Sequence, residues 1–329
     1  MKRLNCLIPD KLSGISFYRG VRPLTLLSKK HNFFLDFEEN ISWGSLSVAN
    51  GVFMQLPVGR GLLKICELAK AMKTPTLLDF DDYLFGIPDW NPAKRIYRHD
   101  VLEDLKMTIS NSDYVSVTTA FLAEELSKFN SNITIIPNAF DDELFGFEKI
   151  QSKNKTIAWR GSATHIEDLK SIIPAIQDIQ NSKQFLDWSW YFIGKDAQVM
   201  KKQIPSAKII DQMGLLNYFS YIKELNPAIQ IVPLVDHPFN RAKSNIAWLE
   251  ATYSGAVTVA PEYLEEFNRP GVVRYRDVEH FKQLMIELMQ NPESLGEYFN
   301  KSYEYIKENL LLSKVNDQRA KLILDKILI

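Results

Sequence analysis

Val232-Pro233-Leu234-Val235-Asp236-His237-Pro238-Phe239-Asn240-Arg241-Ala242-Lys243-Ser244-Asn245-Ile246-Ala247-Trp248-Leu249-Glu250-Ala251-Thr252-Tyr253-Ser254-Gly255-Ala256-Val257-Thr258-Val259-Ala260 reads as one strand–loop–helix–strand unit. An apolar run ends at Val232, a polar loop follows, and Ser244 stands where a helix over Ser244 to Tyr253 needs its N-cap. Gly255 stops that helix before a second strand, Val257 to Ala260. The free N–H groups and dipole at a helix start attract phosphate, and Lys243 sits beside this one. Ser244 and Asn245 open the helix. Glu250 lies about two turns on, where its carboxylate could accept hydrogen bonds from ribose hydroxyls. The plainer alternative is a capped core helix with a buried, paired glutamate.

The same alternation continues on both sides. Upstream, Leu4 to Ile8, Asn32 to Phe37, Gly51 to Leu56, Thr76 to Phe80, Tyr114 to Val117 and Ile133 to Ile136 have the length and apolar content of buried strands. Helical spacing appears over Val21 to Lys30, Gly61 to Met72 and Ala120 to Phe129. A polar, lysine-rich stretch from Glu148 to Lys155 reads as a linker. The pattern then restarts with strands Thr156 to Trp159, Trp188 to Ile193, Lys208 to Ile210 and Ala228 to Val232, and helices Glu167 to Ile179 and Tyr218 to Leu225. From Val278 to Ile329 it is almost wholly helical. The predicted class is α/β: two doubly wound, Rossmann-like domains facing across a cleft, with a helical tail. The expected limits are 1–149, 150–310 and 311–329, the last packing back on the first domain.

Composition narrows the function. A chain of 329 residues with 46% hydrophobic residues is long enough for two cores. Lys and Arg number 39 against 40 Asp and Glu, a formal charge of −1, so there is no global basic field for nonspecific nucleic-acid binding. Cys6 and Cys66 have no partners at metal-ligand spacing, which excludes a zinc module and a disulfide framework. No apolar run approaches the ~20 residues of a membrane span, and the start is too short for a signal-peptide core. A cytoplasmic protein is expected. The dinucleotide fingerprint Gly-x-Gly-x-x-Gly is missing, against a nicotinamide enzyme.

The Val232–Ala260 segment resembles the second domain of GT-B glycosyltransferases, particularly the retaining family four. Glu250-Ala251 and Ser254-Gly255 match the later half of that family's pattern, whereas its first glutamate falls at Ala242. In the family that glutamate contacts the donor sugar, so Asp236 or Asn240 is the substitute here. Ile157-Ala158-Trp159-Arg160-Gly161-Ser162-Ala163-Thr164-His165 resembles the segment that places an arginine and, five residues later, a lysine on the donor diphosphate. Arg160 matches and His165 replaces the lysine; Lys243 then supplies the charge that a neutral histidine lacks. The resemblance also implies that the loop Ile8 to Arg19 faces the ligands, with Gly14 and Ser16 toward the donor and Tyr18 and Arg19 toward the acceptor.

These readings imply transfer of a sugar from a UDP- or GDP-sugar to an acceptor hydroxyl, with retention and without a metal or other cofactor. Arg160 and Lys243 are the expected catalytic cations, while Asp81 and Asp82 line the cleft for the acceptor, Asp82 with a catalytic role. The acceptor is left open among a glycan, a lipid-linked glycan, a protein and a modified DNA base. Two alternatives stand beside this reading. One is a non-catalytic nucleotide-sugar-binding or assembly protein of the same fold. The other is a metal-dependent GT-A enzyme, because Asp79-Phe80-Asp81 is an Asp-x-Asp string after a strand. Lys94, Arg95, Arg98 and His99 form a basic cluster, read as a solvated face or as a contact for an anionic acceptor.

Overall fold

Six short strands in the first half, each followed by a helical crossover, can only pair in parallel. In the computed structural model, which describes residues 1–8, 10–55, 61–195 and 197–329, they do. The strands are β1 (Arg3–Leu7), β2 (Phe34–Glu38), β3 (Gly51–Gln55), β4 (Thr76–Phe80), β5 (Tyr114–Val117) and β6 (Ile133–Ile135), in the order β2-β1-β3-β4-β5-β6. The second half repeats the plan with β7 (Thr156–Arg160), β8 (Ser189–Ile193), β9 (Lys208–Ile210), β10 (Ile229–Ile231), β11 (Val257–Pro261) and β12 (Val273–Tyr275), in the order β12-β11-β10-β7-β8-β9. Every residue of β3, β4 and β11 is buried, as expected for parallel strands covered on both faces. The expected strand end at Leu56, and Pro9 of the first loop, lie outside the described residues.

The strand order of each sheet reverses once, between β1 and β3 and between β7 and β10. At such a point the two crossovers leave in opposite directions and open a crevice at the carboxyl ends of the strands. One apolar cluster joins the halves, with Tyr18 and Phe140 from the first meeting Tyr218 and Trp248 from the second.

Several local expectations are corrected. Glu167 to Ile179 is not one helix but two, Ile166–Lys170 and Ile173–Asn181. Pro174 has no N–H to continue the first and is accommodated in the opening turn of the second. The helix expected from Ser244 runs over Ile246–Tyr253, and Ser244 does not cap it. Gly255 does end that segment, at φ +90°, where a Cβ would stand 2.5 Å from the Ile150 carbonyl oxygen. The short helix Trp43–Val48 and β12 were not anticipated, because neither is long enough to display a period.

The tail forms helices Val278–Gln290, Leu295–Asn309 and Leu312–Leu322. The last crosses to the first sheet's side. There Asn316 Nδ2 donates to the Pro23 carbonyl at 3.0 Å, Lys30 pairs with Asp317 at 2.8 Å, and Phe140 exchanges backbone hydrogen bonds with Leu310 and Leu312. Among the described residues no helix is long and apolar enough to cross a membrane.

Candidate functional site

Arg160 is the last residue of β7, so its side chain emerges at the carboxyl edge of the second sheet, at the switch point. Its Nε stands 2.7 Å from Oε2 of Glu250, on the helix Ile246–Tyr253. The arginine side chain keeps 29% of its surface exposed and the glutamate only 3%, so the ion pair has one open and one closed member. The Tyr218 hydroxyl donates to Oε2 at 3.1 Å and the Tyr18 hydroxyl, from the first half, donates to Oε1 at 2.9 Å. Burial opposes the Arg160 charge, but the carboxylate beside it prevails and holds the guanidinium above its ordinary pKa. Burial and the same carboxylate push both tyrosine hydroxyls well up, so they remain protonated donors.

The bland alternative, a buried and paired glutamate, thus describes Glu250 as it stands. Both of its oxygens are engaged, and a ribose hydroxyl reaches it only by replacing a tyrosine.

Lys243 lies in the loop before that helix. Its Nζ is 2.7 Å from Asp82 Oδ1, just beyond β4, and 4.1 Å from the centre of the Phe239 ring. This pair crosses the cleft, with both side chains about one-fifth exposed. Behind it, His165 Nδ1 is 2.8 Å from Asp168 Oδ2, while Asp168 Oδ1 accepts from the Val235 N–H at 3.0 Å and from Asn240 Nδ2 at 2.8 Å. Asp168 therefore fixes the loop after β10 against the segment after β7. Burial, which outweighs the Asp168 hydrogen bond and is helped by the Lys243 charge, lowers the His165 pKa. A neutral ring results, as the sequence reading supposed for this position. Asn240, expected at the donor, is a buried brace whose Nδ2 also donates to the Val235 carbonyl. Asp168 was not anticipated; the signal was its position three residues after His165, one helical turn away.

In the first half, Arg19 requires correction. It is fully buried, with Nε and Nη2 donating to the two oxygens of Asp79 at 2.9 and 2.7 Å and Nη1 donating to the Ile136 carbonyl at 2.6 Å. Its guanidinium is thus engaged within the first half and is not open to the cleft. Its partner Asp79 also accepts from Ser116 at 2.6 Å, so the first carboxylate of the Asp-x-Asp string is turned inward and spent on an arginine. Ser244, one strand end away, accepts from Asn138 Nδ2 at 2.8 Å and so ties the halves together instead of capping a helix. Asn245 takes the cap position but is itself buried. Ser16 is buried as well, its hydroxyl accepting from Ser13 at 3.0 Å. Gly14 faces the second half, a Cβ there standing 3.9 Å from Leu215.

Asp81 sits beside Asp82, Lys243, Asp79 and Arg19; burial first, then the Asp82 charge, raises its pKa to about 7. The basic cluster lies on the surface next to the cleft. Lys94 donates to the Ile87 carbonyl, Arg98 pairs weakly with Asp100, and the turn Pro92–Arg95 touches the turn Ala163–His165.

No protein-family model matches the chain, and no curated protein matches its sequence. In structure it is similar to sucrose-phosphate synthase from Thermosynechococcus elongatus, at a TM-score of 0.72 and 11% identity over 99% of both chains. It is similar also to Anabaena Alr3699/HepE in complex with UDP-glucose, at 0.68 and 11% over 99% of this chain and 100% of that one. A third is an alpha-glucosyltransferase in complex with UDP-glucose and DNA containing an abasic site, at 0.65 and 10% over 98% of both chains. At these identities the shared property is the fold. The chain has the GT-B fold, two Rossmann-like sheets matched over nearly their whole length, which overturns the GT-A alternative.

Proposed function

We propose that this chain is a glycosyltransferase that moves a sugar from a nucleoside-diphosphate sugar, UDP-linked by analogy with the structural neighbours, to an acceptor hydroxyl. On this reading residues 1–149 hold the acceptor and 150–310 the donor. The observation that carries it is the half-open Arg160–Glu250 pair at the switch point of the second sheet, in the crevice where doubly wound folds bind nucleotides.

A leaving nucleoside diphosphate gains charge as the glycosidic bond breaks, so a guanidinium fixed beforehand favours the transition state over the ground state. Arg160 supplies that charge, its orientation set by Glu250. Lys243 supplies a second charge after exchanging Asp82 for phosphate oxygen, and these two cations take the part that a metal ion plays in GT-A enzymes. Asp82, thus released, faces the acceptor. The donor's pentose replaces the Tyr18 hydroxyl on Glu250. The acceptor hydroxyl attacks the anomeric carbon from the side of the departing phosphate, which takes its proton, and the configuration is retained. The reaction is placed in the cytoplasm, where nucleotide sugars are made.

The test is titration of the purified chain with UDP, GDP and their glucose conjugates, read by melting temperature and calorimetry. A ligand at 100 times its Kd raises stability by about 2.7 kcal/mol. Stabilisation by one nucleotide, lost in Arg160→Ala, is expected; no response to any of them rejects the proposal. The full occupation of Glu250 and the alanine at 242 favour one second reading, a binding protein of the same fold. Nucleotide binding without release of UDP from UDP-glucose in the presence of acceptors would select it.

A further inference from the structure

Between the halves, beyond the Lys243–Asp82 pair, lies a pocket of about 540 Å³, of whose lining only Asp236, an alternative contact for the donor sugar, enters the donor reading. Tyr83, Phe85, Phe121 and Glu125, from the segments after β4 and β5, form one wall; Asp236 and Arg241, from the loop after β10, face them. It adjoins the reaction centre. Tyr83 follows Asp82 in the chain, and Phe239, next to the lining residue Pro238, has its ring centre 6.4 Å from that of His165 and 4.1 Å from Lys243 Nζ. Gly86 permits this closeness, since a Cβ there would stand 2.5 Å from the Tyr83 ring and 3.2 Å from the Phe239 nitrogen.

We propose that this pocket binds a pyranose ring of the acceptor, so that the acceptor is a glycan; this rests on the transferase reading above. The wall chemistry selects among acceptors. Tyr83 meets Phe121 edge-to-face, at 88° and 5.7 Å, and lies at 56° to Phe85. Rings so arranged leave no parallel slot for a flat base, but they present an apolar wall to the C–H face of a chair. Around that wall the polar groups are fixed in place. The Tyr83 hydroxyl donates to Glu125 at 2.6 Å, and Arg241 pairs in bidentate fashion with Asp236 at 2.6 and 2.8 Å. Fixed donors and acceptors at a rim are what equatorial hydroxyls require. Both lining carboxylates are already paired, Glu125 with Lys128 at 2.8 Å and Asp236 with Arg241, so the pocket carries no unpaired cationic cluster of the kind that binds the phosphates of nucleic acid or of an anionic lipid.

The experiment uses the full chain with saturating UDP and follows binding of maltose, cellobiose, lactose and N-acetyllactosamine by saturation-transfer NMR and calorimetry. At least one disaccharide is expected to bind. Phe121→Ala and the surface variant Arg241→Ala should each weaken it about tenfold or more, while UDP affinity changes by less than about twofold, which also shows that the variants fold. The proposal is overturned if no saccharide binds or if binding survives both substitutions. It is equally overturned if a short DNA duplex or a phosphatidylglycerol vesicle binds instead and loses binding in these variants. Failure of the unaltered chain to bind any nucleoside diphosphate would reject the transferase reading, whatever the saccharides do.

Discussion

The Tyr18 hydroxyl and the Glu250 carboxylate stand 232 positions apart in the chain and meet in a 2.9 Å hydrogen bond that is buried and joins the two sheets' territories. With the Arg160 ion pair and the Tyr218 hydrogen bond, it makes Glu250 a carboxylate that touches both the crevice of the second sheet and the first half. The proposed donor competes with Tyr18 for this carboxylate.

Tyr18→Phe removes that competitor without changing the ring's packing. UDP affinity should rise by about tenfold or more, because a hydrogen bond to a charged group is worth roughly 1.5–3 kcal/mol and the nucleotide no longer has to displace it. Calorimetry checks this. An unchanged or weaker affinity would show that the pentose does not use Glu250.

Arg160→Ala should lower kcat by about 10²–10³, the scale seen when one fixed charge-stabilising donor is removed. It also leaves Glu250 buried with only tyrosine partners. Arg160→Lys retains a charge but not the planar fork, and is expected to recover stability more fully than turnover. Steady-state kinetics beside urea denaturation separate the two effects, and equal recovery of both would assign Arg160 a structural role only.

The raised pKa of Asp81 makes stability depend on pH. The folded chain holds this proton up to about pH 7, whereas an unfolded carboxyl releases it near pH ~4. Between those values the native state binds more protons, so the slope of stability against pH is negative. The contribution is complete below the unfolded pKa and is lost as the pH rises through about 7. Asp81→Asn should flatten the decline in melting temperature over that window and melt higher than the unaltered chain above it. Parallel curves for the two proteins would exclude Asp81 as the source.

Gly51 opens β3 directly beneath the end of the tail. A Cβ there would stand 2.4 Å from Ile327 Cγ2 and 2.8 Å from the Ile327 carbonyl oxygen, and Ile327 is fully buried. Gly51→Ala is therefore expected to cost about 1–3 kcal/mol through overpacking, seen as a lower urea midpoint at unchanged slope. No loss would mean that the tail does not seat on the first sheet in solution.

Much of the fold was legible because strand and helix periods are local. β4, β5 and β9 fall at the residues their apolar runs predict, and Gly255 ends its segment because only a glycine tolerates that φ. The plan of two doubly wound halves follows from repeating that alternation twice around a polar linker, and the resemblance of the Val232–Ala260 segment supplied the GT-B assignment. Arg160 was found through the family resemblance, and its place directly after the strand expected to end at Trp159 puts it at the sheet's carboxyl edge.

Partners were not legible in the same way. Nothing near Arg19 in the chain indicates Asp79, 60 positions on, and nothing near Ser244 indicates Asn138, 106 positions back. Arg19 and Tyr18 are adjacent and were expected to act together, yet one is locked into the first sheet and the other reaches the second. Periodicity settles which residues point inward from an element, because a few neighbours suffice to define a face. Which charge meets which is settled by strand order and by how one half leans on the other, and those depend on contacts that no short window contains.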